Sequence, residues 1–222
     1  MSPIRIGILG AARIAPAALI DPARDNGDVQ IVAVAARDLG RAQAFAEQHG
    51  IPEALGTYED LIGHPGIDAV YNALPPSRHC DLTLAALSAG KHVLCEKPFS
   101  MTADEAEAMT GAAARAGLIL MEAFHYRYHP LWDRVLEIVV RDLGQLEQIE
   151  AEFSVPIAET PDELRYFPEL GGGALGDLGT YCVHWCRTVA GSEPEVRSVS
   201  RDVHPGGVDL ATRAELSFPG GV

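Results

Sequence analysis

Short runs of apolar and β-branched residues alternate with longer amphipathic stretches through the first half of the chain. We predict strands over residues 4–9, 30–36, 68–73, 92–95 and 118–124, and helices over residues 12–24, 39–49, 77–89 and 103–116. Gly50, Gly90 and Gly117 stand where three of these helices should end. Thr102 with Glu105 forms a capping box that should begin the last of them. Because parallel strands are joined by helical crossovers, this alternation predicts a doubly wound α/β domain around a parallel sheet.

The second half of the chain has a different pattern, which predicts an α+β domain. We predict helices over residues 129–143 and 176–189, and strands over residues 145–155, 195–203 and 210–218. The strands alternate polar and apolar residues, which is typical of a mostly antiparallel sheet with one solvated face. The last four residues, PGGV, are a turn signal that should lead into a partner strand. We therefore expect a complete domain over residues 1–124 and an incomplete one over residues 125–222.

Composition excludes several classes of partner. The 222 residues carry a formal net charge of -14, which repels nucleic acid and anionic lipid. No apolar segment approaches the roughly 20 residues that span a bilayer, and we find no secretory leader, so we expect a cytoplasmic protein. Four sparse cysteines fit a reducing compartment. Cys182, His184 and Cys186 do not have the spacing of a zinc site, so we expect no metal and assign them to helix packing.

The turn after the first predicted strand is a candidate dinucleotide site. Gly10, Ala12 and Ala15 form a relaxed version of the G-x-G-x-x-G pattern, in which small residues let the backbone approach a pyrophosphate. A tight turn without a ligand would look similar. The position of this turn on the first βα unit favours the dinucleotide interpretation, with Gly10, Ala12, Arg13 and Ile14 as cofactor contacts.

The end of the second predicted strand bears on the choice of cofactor. An acidic residue there would bind the ribose hydroxyls of NAD, whereas an arginine pairs with the 2'-phosphate of NADP. Arg37 stands at this position, so we favour NADP, with NAD as the alternative. If Arg37 and Asp38 are only a solvated turn and a helix cap, the preference is undetermined.

The stretch VLCEKPFS ends the strand at residues 92–95 with Glu96, Lys97 and Pro98. Its lysine falls at the carboxyl end of a parallel strand, where Rossmann cofactors bind. The proline restricts Lys97 to extended conformations, and the sequence leaves open whether their peptide bond is cis. The alternative without a functional role is a surface ion pair of Glu96 and Lys97, which contributes little stability.

A second motif, GGGALGDLGTYCVHW, follows about eighty residues later. Asp177, Tyr181 and His184 are spaced four and three apart and should share one helix face. With VLCEKPFS, VAVAARDLGRAQAFAEQHGIP and this motif, the chain resembles the glucose-fructose oxidoreductase and inositol dehydrogenase superfamily, and within it the dimeric dihydrodiol dehydrogenases and NADP-dependent D-xylose dehydrogenases. The resemblance implies a Rossmann domain, a second domain whose open sheet forms homodimer contacts, and an active site between them. Members are longer than this chain, so the second sheet should be incomplete.

The resemblance also implies residue roles. Lys97 belongs to the catalytic region, and a tyrosine at position 181 is characteristic of the dihydrodiol and sugar dehydrogenase branch. A tyrosine with an ordinary pKa of about 10 needs a cation to act as a base, which Lys97 would supply. We assign proton exchange to Tyr181, and orientation of substrate or lysine to Asp177, with packing as the alternative for Tyr181. Further cofactor contacts are expected at Asn72, Pro75, His79, Glu96, Lys97 and Arg127.

These interpretations predict an NADP-dependent oxidoreductase that acts on a secondary alcohol of a small-molecule sugar or cyclic trans-diol. Two alternatives remain, a non-catalytic dinucleotide-binding protein and an inactive fragment of such a dehydrogenase. At single residues, Ser77 is a possible helix cap, and Arg127 a possible hinge salt bridge.

Overall fold

A computed structural model of the chain describes residues 2–219. These residues divide into two compact units, between Ala123 and Phe124. The assignment of cofactor binding to residues 1–124 and substrate binding to residues 125–222 stays a prediction.

The first unit is built on one six-stranded parallel sheet. Its strands are β1 (Ile4–Leu9), β2 (Val29–Ala35), β3 (Glu53–Leu55), β4 (Ala69–Asn72), β5 (His92–Cys95) and β6 (Leu120–Glu122). They lie in the order β3-β2-β1-β4-β5-β6, and every neighbouring pair is parallel. This order is that of a Rossmann sheet, in which the chain reverses direction across the sheet between β1 and β4. The predicted doubly wound parallel sheet is confirmed.

Alternate residues of the strands pack on opposite faces of this sheet. Leu9 and Val70 belong to one apolar cluster, whereas their neighbours Ile8 and Tyr71 belong to another. Because both faces are covered, the central strands do not alternate apolar with polar residues, and their polar residues, such as Arg5 and Asn72, lie near the strand ends. Space is tight at Gly7, where a Cβ atom would lie 2.6 Å from the Cδ1 atom of Ile67.

Helices connect the strands of the first unit. They are a π-helical turn (Pro16–Ile20), α1 (Asp21–Arg24), α2 (Leu39–His49), α3 (Tyr58–Gly63), a 3-10 turn (Pro76–Arg78), α4 (His79–Ser88) and α5 (Ala103–Ala116). Half of the predicted capping box forms: the Thr102 hydroxyl accepts the Glu105 N–H at 3.2 Å, whereas the Glu105 carboxylate accepts the N–H of Met101 instead of that of Thr102. Gly50 and Gly117 are left-handed caps as predicted, and α4 is capped by Ala89, directly before Gly90. Ser77 caps neither the 3-10 turn nor α4.

Two local predictions for the first unit are corrected. The first helix begins at Pro16 rather than at residue 12. A proline, which has no N–H, fits the first turn of a helix, and the residues before it belong to the turn after β1. The strand β3 and the helix α3 were missed. Three residues without a β-branched side chain give no periodic signal, so β3 is set by its pairing with β2.

The second unit contains fewer regular elements. They are a 3-10 turn (His125–Tyr128), α6 (Pro130–Arg141), two 3-10 turns (Leu164–Tyr166 and Pro168–Leu170), a π-helical turn (Leu175–Gly179), α7 (Thr180–Ala190), β7 (Glu195–Val203) and β8 (Asp209–Ser217). The strands β7 and β8 form an antiparallel pair, as predicted. The strand predicted over residues 145–155 is wrong: this segment joins no sheet within residues 2–219, and alternation alone cannot make a strand without a partner.

Two further predictions concern the turn at the end of the chain and the absence of a membrane-spanning segment. Of the predicted terminal turn, residues 220–222 lie outside the described part of the chain. None of the helices within residues 2–219 is long and apolar enough to cross a bilayer.

Candidate functional site

The turn after β1 opens the carboxyl edge of the parallel sheet. Gly10 has φ +98°, which favours glycine, and its N–H donates to the Ala35 carbonyl oxygen at 2.8 Å. A Cβ atom at Gly10 would lie 2.9 Å from the Cδ2 atom of Leu74. The next residues are small or exposed, and the Ile14 side chain is among the exposed large apolar side chains. The turn is therefore packed closely against Leu74 at Gly10 and exposed to solvent at Ile14, as a turn that binds a dinucleotide requires.

The end of β2 carries a cap and two arginines. The Asp38 carboxylate accepts the Arg41 N–H at 2.8 Å, so Asp38 is the N-cap of α2, the role that the alternative interpretation gave it. The exposed Arg37 precedes this cap. Arg41 Nη2 donates to the Ala11 carbonyl oxygen at 3.2 Å, which ties the end of the second strand to the turn after the first.

A third arginine lies beside this group. The Arg78 guanidinium carbon is 5.9 Å from the centre of the Tyr58 ring. Burial raises the pKa of the Tyr58 hydroxyl, while the positive charges of Arg78, Arg37 and Arg41 oppose that rise. The charges of three guanidinium groups therefore act on the Tyr58 hydroxyl, although the Arg78 guanidinium is also paired with the Asp81 carboxylate at 2.9 Å.

Asn72 and His79 lie behind the loop that follows β4. Both side chains are fully buried. Asn72 Nδ2 donates to Thr83 Oγ1 and to the carbonyl oxygens of Arg78 and His79, each at 3.4 Å. The ring nitrogens of His79 lie 2.8 Å from two carbonyl oxygens, Nε2 from that of Leu74 and Nδ1 from that of Pro98. These side chains therefore support two loops of the carboxyl edge from beneath.

The protonation state of His79 decides whether its ring donates a hydrogen bond to one or to both of these carbonyl oxygens. Burial lowers the pKa of His79, while the carbonyl oxygens of Leu74 and Pro98 and the charge of Glu96 oppose that change. A neutral imidazole donates to one carbonyl only, whereas the protonated ring donates to both.

The loop after β5 places Lys97. The buried Tyr71 hydroxyl donates to Glu96 Oε1 at 2.6 Å, and Glu96 Oε2 accepts the Lys97 N–H at 3.1 Å. The Lys97–Pro98 peptide bond is cis. One residue further on, the Phe99 N–H donates to Glu122 Oε1 at 2.9 Å. Side chains from β4 and β6 therefore fix this loop on both sides of Lys97.

In the second unit, Asp177 and Tyr181 lie on either side of a change in helical geometry. Asp177 belongs to the π-helical turn and Tyr181 to the first turn of α7. Single π-helical turns occur frequently at functional sites. Asp177 Oδ2 lies 2.6 Å from Arg165 Nε, a partner that sequence reasoning missed because the arginine is twelve residues earlier in an irregular segment.

Aromatic rings surround Tyr181. Its ring centre lies 5.4 Å from that of Phe124, 5.5 Å from that of Phe153 and 5.9 Å from that of Tyr126. The Tyr126 hydroxyl lies 2.5 Å from His184 Nδ1, and the His184 ring packs on Phe124 with centres 4.4 Å apart. Burial lowers the pKa of His184, which favours a neutral ring whose Nδ1 accepts the hydrogen bond that the Tyr126 hydroxyl donates.

The remaining predicted residues are placed less tightly. Arg127 is exposed in the 3-10 turn before α6, and its charge contributes to the lowered pKa of His184. Pro75 directly precedes the 3-10 turn Pro76–Arg78. Cys182 and Cys186 are partly buried thiols whose pKa is raised by burial. Among the described residues, no three His, Cys, Asp or Glu side chains are arranged to hold a metal ion.

The predicted cofactor residues other than Arg127 thus belong to the first unit, whereas Arg127, Asp177 and Tyr181 belong to the second. A parallel sheet in this order, with a glycine turn after β1, defines a dinucleotide-binding Rossmann unit. Residues 4–124 match the model of an oxidoreductase family with an NAD-binding Rossmann fold, and residues 138–222 match the C-terminal domain of the same family. The chain belongs to this family, the Gfo/Idh/MocA oxidoreductases.

Two curated relatives represent the sequence similarity. D-xylose 1-dehydrogenase (NADP(+)) 2 of Haloferax volcanii is 40% identical over 97% of this chain and 66% of its own length. Trans-1,2-dihydrobenzene-1,2-diol dehydrogenase of Mus musculus is 37% identical over 99% of this chain and 66% of its own length. The chain therefore spans just under two thirds of the length of these relatives.

A solved structure gives a similar result. KijD10, a 3-ketoreductase of Actinomadura kijaniata crystallised with NADP and TDP-benzene, superposes with a TM-score of 0.93 at 32% identity, over 99% of this chain and 68% of that chain. Variants of the same ketoreductase with a tyrosine replaced by phenylalanine, and with a lysine replaced by alanine, have also been crystallised with both ligands.

Proposed function

We propose that this chain belongs to an NADP-dependent oxidoreductase that transfers a hydride between the nicotinamide and a secondary alcohol of a sugar or cyclic diol. The observation that carries the proposal is the position of Lys97 in the loop after β5, where Glu96 accepts its N–H, at the same carboxyl edge of the Rossmann sheet as the turn after β1. The family supports the reaction class, and relatives named as a xylose dehydrogenase and a diol dehydrogenase support the substrate class.

Three residues would each carry one part of the proposed hydride transfer. Bound NADP supplies the hydride acceptor. We assign removal of the hydroxyl proton to the Tyr181 oxygen, stabilisation of the negative charge that develops on the substrate oxygen to Lys97, and orientation of the substrate to Asp177. The spacing supports the pair: the tyrosine and lysine positions varied in the ketoreductase are 84 residues apart, as are Lys97 and Tyr181.

The preference for NADP rests on the arginines at the end of β2. Arg37 is exposed beside the dinucleotide turn, and Arg41 contacts that turn through Ala11. A 2'-phosphate there would gain charge-assisted hydrogen bonds that the ribose hydroxyl of NAD does not form. For the buried Asn72 and His79, we propose that support of the loops at Leu74 and Pro98 is their contribution to cofactor binding.

Turnover is tested with absorbance assays over aldoses, inositols and trans-diols, with NADP and with NAD. Replacing Tyr181 with phenylalanine should lower kcat at least about 100-fold, because general acid–base catalysis contributes roughly that much or more. The matched control is Tyr166→Phe in the same unit, whose hydroxyl donates to the Ile157 carbonyl oxygen and which should keep wild-type kcat. Unchanged turnover in Tyr181→Phe would remove this residue from the mechanism.

Cofactor choice is tested separately, by nicotinamide fluorescence titration with NADPH and NADH. Arg37→Ala should weaken NADPH binding at least about tenfold, since a charge-assisted hydrogen bond contributes roughly 1.5–3 kcal/mol, and leave NADH binding nearly unchanged. Arg24→Ala is the control, because Arg24 pairs with Asp21 on α1. Binding of NADPH with no turnover on any substrate would favour a non-catalytic dinucleotide-binding protein or an inactive fragment.

A further inference from the structure

The Arg165 guanidinium lies between two carboxylates that are mostly withdrawn from solvent. Its Nε is 2.6 Å from Asp177 Oδ2, and its Nη1 is 2.8 Å from Glu163 Oε1. The side chains of Asp177 and Glu163 are only 15% and 12% exposed, whereas that of Arg165 is 44% exposed. One cation is therefore shared by two carboxylates that have little water available to solvate them.

The backbone of Arg165 contacts the same region. Its carbonyl oxygen accepts the Gly173 N–H at 3.0 Å. At Gly172, a Cβ atom would lie 2.5 Å from that carbonyl oxygen, so only glycine fits the gap between the two segments. Arg165 thus binds the glycine segment through its backbone and the following π-helical turn through its side chain.

Asp209 fixes the other side of that turn. Its Oδ2 accepts the Leu175 N–H at 2.8 Å and the Thr212 hydroxyl at 2.7 Å. Gly173 has φ +118° and leaves no space for a Cβ atom beside Asp209 Oδ1. The segment that carries Asp177 is therefore held by Asp209 from β8 and by Arg165 from the 3-10 turn Leu164–Tyr166.

We propose that Arg165 is a positioning residue that holds the Asp177 carboxylate in the orientation that catalysis requires. The inference rests on the proposed function, in which Asp177 orients the substrate. Without the guanidinium, Asp177 and Glu163 would lose the cation that they share, so the Asp177 carboxylate would turn away from its present orientation. A lysine presents one ammonium instead of a planar fork and would replace the contact only in part.

Kinetics of four variants and one control test this role. Arg165→Gln should lower kcat/KM at least tenfold, with Arg165→Lys in between. The double variant Arg165→Gln/Asp177→Asn should be no slower than Asp177→Asn alone, because Arg165 acts through Asp177. The control is Arg141→Gln, an exposed arginine of the same unit that also pairs with two carboxylates, those of Glu137 and Asp142, and it should keep wild-type kcat/KM.

A second measurement separates this inference from the proposed function. Urea unfolding of the wild type, Arg165→Gln, Asp177→Asn and the double variant gives the coupling energy between Arg165 and Asp177 without any substrate. If the double variant loses less unfolding free energy than the sum of the two single losses, the side chains interact. Additive losses would overturn the inference. Unchanged kcat/KM in Arg165→Gln, or a kinetic loss that adds to that of Asp177→Asn, would overturn it too. A wild-type chain without turnover defeats the proposed function, while the unfolding cycle still decides whether Arg165 holds Asp177.

Discussion

At the scale of single residues, the position of Lys97 depends on side chains far away in the sequence. Tyr71 and Glu96 face each other because β4 and β5 are paired in register, with Tyr71 opposite Leu94 and Asn72 opposite Cys95. The strand-end pattern of Glu96 and Lys97 could be found in the sequence. The role of Tyr71 could not, because an aromatic residue inside an apolar strand looks like core until the pairing of the strands is known.

This contact predicts a measurable loss of stability. Tyr71→Phe keeps the ring in the apolar cluster but removes the hydroxyl that donates to the buried Glu96 carboxyl. The free energy of unfolding should fall by about 1–3 kcal/mol, because the acceptor loses a partner where water cannot replace it. Urea denaturation followed by circular dichroism measures the change. An unfolding free energy equal to that of the wild type would mean that this hydrogen bond contributes nothing to the fold.

At the scale of elements, Arg5 of β1 clamps the start of β4. The Arg5 backbone N–H and Nε both lie 2.9 Å from Asp68 Oδ2, and Nη2 lies 2.7 Å from Asp68 Oδ1. The hydrogen bonds from the side chain and backbone of Arg5 lower the pKa of Asp68 from 3.8 to about 2. Because the folded pKa is the lower one, this contact stabilises the fold above pH 3.8, and its contribution disappears as the pH falls through about 2.

Asp68→Asn should therefore be less stable than the wild type at pH 7, and the difference should shrink as the pH falls from 3.8 toward 2. The effect should be modest, since the Asp68 side chain is 39% exposed and solvent screens the pair. Urea unfolding of both proteins across this range is the measurement. Asp202→Asn is the control, because the pair of Asp202 with Arg213 is more exposed. A difference that is independent of pH would show that the carboxylate charge does not cause it.

The same scale shows which elements the sequence could predict. The helix α5 was predicted to the residue, because Thr102 caps its start and Gly117 ends it within the local chain. The strand predicted over residues 145–155 failed because a strand is defined by its neighbour, and alternation does not say whether a neighbour exists. Local signals therefore predicted elements with caps, whereas short or unpaired segments required the tertiary structure.

At the scale of the whole molecule, charge and chain length set what each unit can do. The net charge of -14 opposes an anionic dinucleotide, so local positive charge from Arg37 and Arg41 at the end of β2 would favour its binding at the turn after β1. The proposed catalytic residues Asp177 and Tyr181 belong to the second unit, whereas the predicted cofactor contacts other than Arg127 belong to the first. Binding and turnover should therefore be separable by shortening the chain.

A chain of residues 1–123 should fold and bind NADPH without catalysing turnover. It contains the complete six-stranded sheet and both apolar clusters, and it lacks Arg127, Asp177 and Tyr181. We expect its Kd for NADPH, measured by fluorescence titration, to lie within about tenfold of that of the full chain, since the loss of one exposed arginine costs about 1.4 kcal/mol or less. Arg37→Ala in the shortened chain should weaken this binding as it does in the full chain. A shortened chain that is folded by circular dichroism yet fails to bind NADPH, while the full chain binds it, would show that the cofactor needs residues of the second unit.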